Sequence, residues 1–140
     1  MDTLTPAERS ERMSRVRSRD TGPELRVRRL LFSMGYRYRL HDRRLPGNPD
    51  IVFPGRRKIV FVHGCFWHRH ANCPLARLPK SRKVFWRGKL EANRLRDGRV
   101  NSTLRRAGWS VATVWECELA NMERLAGRLR RFMESRGREL

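Results

Sequence analysis

The chain has 140 residues, 39% of them hydrophobic, and carries 33 Lys and Arg against 14 Asp and Glu, a formal net charge of +19. That size supports one core and one domain, spanning 1–140. No run approaches the ~20 apolar residues of a membrane span, and Met1 to Pro6 has no apolar signal-peptide core, so a soluble intracellular protein is expected.

Thr5-Pro6-Ala7-Glu8 offers a cap, a Pro at the first helical position and an acid at the third, which predicts a short basic helix through Arg17. With only Met13 and Val16 to bury, residues 1–19 read as an arm that orders on a partner. Thr21-Gly22-Pro23-Glu24 repeats the capping signal. Leu25, Leu30, Leu31 and Met34 then recur at near-helical spacing until Gly35, a core-facing helix. Tyr36 to Leu40 alternates as a strand. Asp50 to Phe53 and Lys58 to His63, separated by Pro54-Gly55, read as a hairpin of central strands. Residues 64–80 are rich in His, Cys and Pro without periodicity, a loop that needs something other than an apolar face to fix it. Ser81 is the expected cap of a long helix through Trp86, Leu90, Asn93 and Leu104 toward Gly108. Trp109 to Trp115 alternates as a strand with both tryptophans in the core, and Leu119 to Arg136 closes the chain as a helix. This order predicts an α/β fold in which a mixed sheet carries helices on both sides.

The charge excess points to a polyanion as partner. It is concentrated in residues 51–90, which hold ten Lys or Arg, Lys80 and Arg82 among them, and no Asp or Glu. Such a block is expected to face phosphates. Phe66-Trp67 and Phe85-Trp86 lie inside it, and ring pairs beside cations are suited to unstacking bases.

Asp50 opens a central strand, where a charge is costly unless it binds something, and the hairpin returns His63 beside it. With His68 five residues on, the set suits a Mg²⁺ site with an imidazole to move a proton. The other reading of Asp50 is a turn cap. Cys65, His70, Cys73 and the remote Cys117 form a Cys-x4-His-x2-Cys set plus one thiol, the donors of a closed structural Zn²⁺ site. Three reduced core thiols are the alternative.

Pro46-Gly47-Asn48-Pro49-Asp50, the run Phe61 to His70, Phe85-Trp86 and Val114-Trp115-Glu116-Cys117 together resemble the very short patch repair (Vsr) endonuclease family. The resemblance extends from about Arg12 to the end of the chain. It implies a restriction-endonuclease-like three-layer α/β core with a zinc-stabilised loop. It also implies Mg²⁺-dependent, strand-specific nicking of double-stranded DNA 5′ to the thymine of a T·G mismatch, the lesion left by 5-methylcytosine deamination. By the same resemblance Asp50 and the main-chain carbonyl of Val62 hold Mg²⁺, His63 and His68 are catalytic, and Glu24 approaches them from the first helix. Cys65, His70, Cys73 and Cys117 hold Zn²⁺, while Phe66, Trp67 and Trp86 intercalate and Met13 enters from the minor groove. A monomer in the bacterial cytoplasm, acting on nucleoid DNA, is implied, with functional links to a cytosine-5 DNA methyltransferase and to mismatch-repair proteins and none to a membrane. Two departures stand out. Val62 occupies a position where the best-known pattern has Thr, and the second zinc cysteine follows His70 by two residues where one is familiar, which leaves His68 as an alternative ligand. A non-cleaving zinc-stabilised DNA-binding module and another restriction-like or structure-specific nuclease are the competing readings.

Overall fold

A computed structural model describes residues 21–68, 70–78 and 82–136. The expected arm helix, Met13 and Lys80 lie outside the described residues.

Helix α1 (Gly22–Ser33) starts where its capping signal places it, with the Thr21 hydroxyl accepting the Glu24 N–H at 3.3 Å. It stops at Gly35, whose φ of +98° is one that L side chains rarely adopt. Its buried face is Glu24, Val27 and Leu31. Leu25, expected in the core, is only half-buried, because the stripe that meets the sheet contains a carboxylate and is not purely apolar.

Strand β1 is limited to Arg39–Leu40. The expected strand is shorter because Tyr36 and Tyr38 turn edge-on to Phe53, at ring centroids of 6.4 and 6.1 Å, instead of extending a ladder. Strands β2 (Ile51–Phe53) and β3 (Lys58–His63) form the antiparallel hairpin, closed by a single 3-10 turn at Pro54–Arg56. Strand β4 (Ser110–Trp115) lies parallel to β3, so the sheet order is β1-β2-β3-β4. All three β2 residues are buried, as expected of a strand covered on both faces.

Helix α2 (Lys83–Arg106) is the crossover from β3 to β4, and α3 (Met122–Glu134) follows a 3-10 segment at Glu116–Ala120. Ile51, Phe53, Val60 and Val114 meet α1 and α3 through Val27, Leu31, Leu125, Leu129 and Met133. The alternate residues Val52, Ile59, Phe61 and Val111 meet Leu104 of α2 and Trp109. Helices therefore cover both faces, as the element order predicts. Two boundaries move inward. Arg82, at φ +56°, occupies the position before α2 without a side-chain cap, and Asn121 restarts the chain as α3 by accepting the Arg124 N–H at 3.0 Å. Lys58, only 2% exposed, is buried by purpose: its Nζ donates to the carbonyls of Met133 and Ser135 at 2.9 and 2.6 Å, closing the C-terminal end of α3.

The antiparallel and parallel pairings have one outcome that matters for chemistry. The start of β2 and the ends of β3 and β4 converge on the same edge, bringing Asp50, His63 and the Trp115–Cys117 segment together. Among the described residues no helix is long and apolar enough to cross a membrane.

Candidate active site

Asp50 is fixed by the hairpin that it opens. Its carboxylate Oδ2 accepts the Val62 main-chain N–H at 2.8 Å, and its carbonyl accepts the His41 N–H at 3.1 Å, extending the β1–β2 pairing by one residue. Burial, with Glu24 nearby, pushes the Asp50 carboxyl up to about 6, against the downward pull of the Val62 N–H. Glu24, 2% exposed, reaches the same place from α1, where its Oε2 takes Arg28 at 3.1 Å and His41 Nε2 at 2.9 Å. One ligand atom from each of Glu24, His41 and Asp50 fits within 4.8 Å. The two carboxylates of this set suit a hard divalent cation, His41 Nε2 being engaged by Glu24, and Asp50 Oδ1 is the oxygen that the Val62 N–H leaves over.

His63 and His68 stack face to face, with ring centroids 3.7 Å apart and planes 7° from parallel. Two bonds make the turn that folds His68 back: its N–H donates to the Gly64 carbonyl at 3.2 Å, and the His70 N–H donates to the Cys65 carbonyl at 3.0 Å. His68 Nδ1 meets Asp97 Oδ2 of α2 at 2.5 Å, while His63 Nδ1 is 4.0 Å from the same oxygen. A carboxylate only accepts, so the proton between His68 and Asp97 sits on Nδ1 and Nε2 remains the reactive atom. Burial, helped by His68, pushes His63 down to about 3, so it is neutral at physiological pH. These groups line a cavity of about 410 Å³ with Asn48, Val62, Arg96 and Asn101.

The cysteines gather on the other side of the loop. Ligand atoms of Cys65, His70, Cys73 and Cys117 all lie within 4.8 Å of one another, with Cys117 Sγ and His70 Nδ1 at 3.5 Å. A tetrahedral Zn²⁺ with the usual Zn–S and Zn–N bonds has an S···N edge of about 3.5 Å, so the donors fit that ion. Burial pushes the Cys65 thiol up to about 12, so without a cation it stays a neutral thiol. His70 is the imidazole among the cysteines, and His68 is held elsewhere by Asp97. Trp115, expected in the core, instead stands between the two clusters: it stacks on His70 at 4.2 Å and meets His63 edge-on at 5.3 Å.

Phe66, Trp67 and Trp86 form one aromatic cluster, with Phe66–Trp86 at 5.6 Å and Trp67–Trp86 at 5.8 Å. Phe85, 43% exposed, continues it, and Arg82 lies over the Phe85 ring at 4.4 Å. Three participants were not anticipated from the sequence: His41, Asp97 and Arg96. Asp97 had a readable signal, because it shares a helical face with Leu90, Asn93 and Leu104, and an acid on an inward face needs a partner.

A family model described as "DNA mismatch endonuclease Vsr" matches residues 1–74. A type II nicking enzyme of Xanthomonas oryzae, V.XorIIP, is 53% identical over 95% of this chain and 97% of its own length. The type II nicking enzyme V.NmeAIP of Neisseria meningitidis is 42% identical over 94% of each chain. The DNA mismatch endonuclease Vsr of Escherichia coli is 43% identical over 89% of this chain and 79% of its own.

Proposed function

The chain belongs to the Vsr DNA mismatch endonuclease family and is a DNA endonuclease, and from that premise we propose that it nicks one strand of duplex DNA 5′ to the thymine of a T·G mismatch. The observation that carries this reading is the cavity itself: Asp50, Glu24, His63 and the His68–Asp97 pair face one another beside a loop that also carries Phe66 and Trp67. The sheet with helices on both faces is the three-layer core of restriction-type endonucleases in this reading, and the whole chain is one domain preceded by a basic arm, 1–19.

Asp50 and the Val62 main-chain carbonyl would hold Mg²⁺. That ion supplies charge stabilisation for a phosphoryl group under attack and lowers the pKa of bound water. His68 moves a proton at Nε2, oriented by Asp97 through Nδ1, and neutral His63 supports that ring by stacking and offers a hydrogen bond to a phosphate oxygen. Glu24, held by Arg28 and His41, keeps a second carboxylate beside Asp50. Cys65, His70, Cys73 and Cys117 would hold Zn²⁺, whose chemistry is structural: it fixes the loop on which His68 and the wedge residues ride.

Phe66, Trp67 and Trp86 insert beside the mismatch, where a wobble pair is unstacked more cheaply than a Watson–Crick pair. Met13 approaches from the minor groove, and Lys80 and Arg82 hold phosphates. The enzyme acts as a monomer in the cytoplasm on chromosomal DNA, alongside a cytosine-5 DNA methyltransferase and mismatch-repair proteins. Incubation with Mg²⁺ and duplexes differing only in T·G, U·G or T·A at one site, followed by mapping of the nick, tests the proposal. A single nick 5′ to T in the T·G duplex is expected. Equal cleavage of T·A, or a nick elsewhere, overturns it.

A further inference from the structure

Asn93 of α2 is a buried polar side chain, 7% exposed, that the mechanism above does not use. Its amide has both ends engaged. Nδ2 donates to the Trp67 carbonyl at 3.3 Å, and Oδ1 accepts from the Arg96 guanidinium at 3.0 Å. The Trp67 carbonyl belongs to the peptide that joins a wedge ring to His68, so this one amide ties the aromatic wedge to α2 beside Arg96.

Arg96 lines that cavity with Asp50, His63, His68 and Asp97. Among the described residues no carboxylate pairs with it, although Asp97 is its neighbour in sequence, because the Asp97 carboxylate is turned to His68. A guanidinium with its fork geometry and no acid partner, at the rim of a phosphodiester-cleaving cavity, has the chemistry to grip phosphate oxygens.

We propose that Arg96 is a further catalytic residue, which binds a non-bridging oxygen of the scissile phosphodiester, and that Asn93 is a positioning residue that makes the placement of Arg96 depend on the wedge. The proposal rests on the endonuclease reading. Displacement of the Trp67 peptide when the ring enters the base stack is passed to His68 through the chain and to Arg96 through Asn93. Cleavage is thereby coupled to insertion rather than to binding alone.

The test uses the full-length protein with Mg²⁺ under single-turnover conditions, with duplex binding measured separately. Arg96→Ala is expected to nick the T·G duplex about 10²- to 10³-fold more slowly, the scale of losing one transition-state donor. Its duplex affinity should fall less than tenfold, because one phosphate contact among many is lost. Free guanidinium at sub-denaturing concentration should restore part of the rate, which a packing defect would not allow. If Arg96→Ala does not fold, Arg96→Lys is read in its place, with a smaller loss of rate at parental affinity.

Asn93→Leu should slow T·G nicking at least tenfold, and combined with Trp67→Ala it should be no slower than the worse single variant, since without the ring there is nothing to transmit. A parental rate in Arg96→Ala, or in Arg96→Lys where that stands in, overturns the catalytic role, and so does a loss in Arg96→Ala that guanidinium does not relieve. Multiplying effects of Asn93→Leu and Trp67→Ala overturn the coupling. If the parent itself cuts T·G and T·A alike, the mismatch reading fails instead, and Arg96 is judged on whichever bond the parent cleaves.

Discussion

Two clusters of side chains that carry metal-ligand donor atoms share one end of the sheet and one short loop, and they are built on opposite principles. The Cys65, His70, Cys73 and Cys117 set draws four donors together from two segments, the number that a closed tetrahedral ion takes. The Asp50, Glu24, His63, His68 and Asp97 set draws its groups from α1, β2, β3, the loop and α2, and lines an open cavity. From the end of β3 into the loop, residues alternate between them: His63 and His68 line the cavity, while Cys65 and His70 join the cysteine set. Soft, closed donors suit a fixed structural ion; hard, open ones suit an exchangeable catalytic ion and a substrate. In the proposed function the two sets are sorted by donor chemistry over a few residues of chain, and Trp115 packs between them, against His63 and His70.

The sharpest way to break the comparison is to remove the closed site. Cys73→Ser should lower zinc content from about one ion per chain toward none and cost several kcal/mol of stability, since binding free energy of a structural zinc is folding free energy. Elemental analysis and thermal melts check this, and a folded, active, zinc-free protein would return the three cysteines to core thiols.

Removal of a cavity group should leave the fold and abolish chemistry. Asp50→Ala is expected to lose more than about 10³-fold in nicking with duplex affinity near parental, because phosphate attraction comes mainly from the Lys and Arg surface. Asp97→Asn should cost about 10²- to 10⁴-fold, by leaving His68 in the wrong tautomer. Single-turnover rates beside binding isotherms separate these from a folding defect.

Burial of Asp50 and His63 in the cavity also makes the stability of the fold depend on pH. Asp50 ordinarily titrates at 3.8 and is held at about 6 in the fold, so its protonated form is favoured on folding. Its contribution is intact below 3.8 and is lost as pH rises through 6. His63 ordinarily titrates at 6.5 and is held at about 3, so its contribution is intact above 6.5 and is lost as pH falls toward 3. The two oppose each other between about 4 and 6. In chelator, Asp50→Asn should therefore raise stability at pH 7 by roughly 2–3 kcal/mol and leave a melt that weakens only toward acid. A variant no more stable than the parent at pH 7 contradicts the burial of that charge.

Smaller effects belong to the wedge and the helix. Trp67→Ala should narrow the T·G over T·A binding preference by about 1–3 kcal/mol, the worth of a base stacked on an aromatic, whereas Arg82→Ala should weaken both duplexes together and flatten the salt slope. Titrations at several salt concentrations distinguish them. Gly98 of α2 has nothing within 4 Å of where a Cβ would stand, so Gly98→Ala should add about 0.5–1 kcal/mol with nicking unchanged.

Much of this was legible in the chain because the signals were local. The hairpin that returns His63 to Asp50 follows from two apolar runs around Pro54-Gly55, and the cysteine set follows from spacing. What was hidden depended on packing between distant segments. Asp97 lies 29 residues from His68 along the chain, and the contact exists only because α2 crosses back over the sheet. Glu24 displaces Leu25 from the inner face of α1 because Arg28 and His41 hold its carboxylate there, partners that the capping signal does not disclose. Trp115 alternated like a core residue, and nothing in the strand pattern told that its ring would lie against two imidazoles.

The central claim, that a closed structural site and an open catalytic one stand side by side, is tested most directly by metal exchange. The purified protein is dialysed against a chelator, its zinc is counted, and nicking of the T·G duplex is measured before and after Mg²⁺ is returned. The account predicts that about one Zn²⁺ per chain survives, that nicking stops in the chelator and that Mg²⁺ alone restores it. Nicking that persists without Mg²⁺, or that returns only when Zn²⁺ is added, would contradict it.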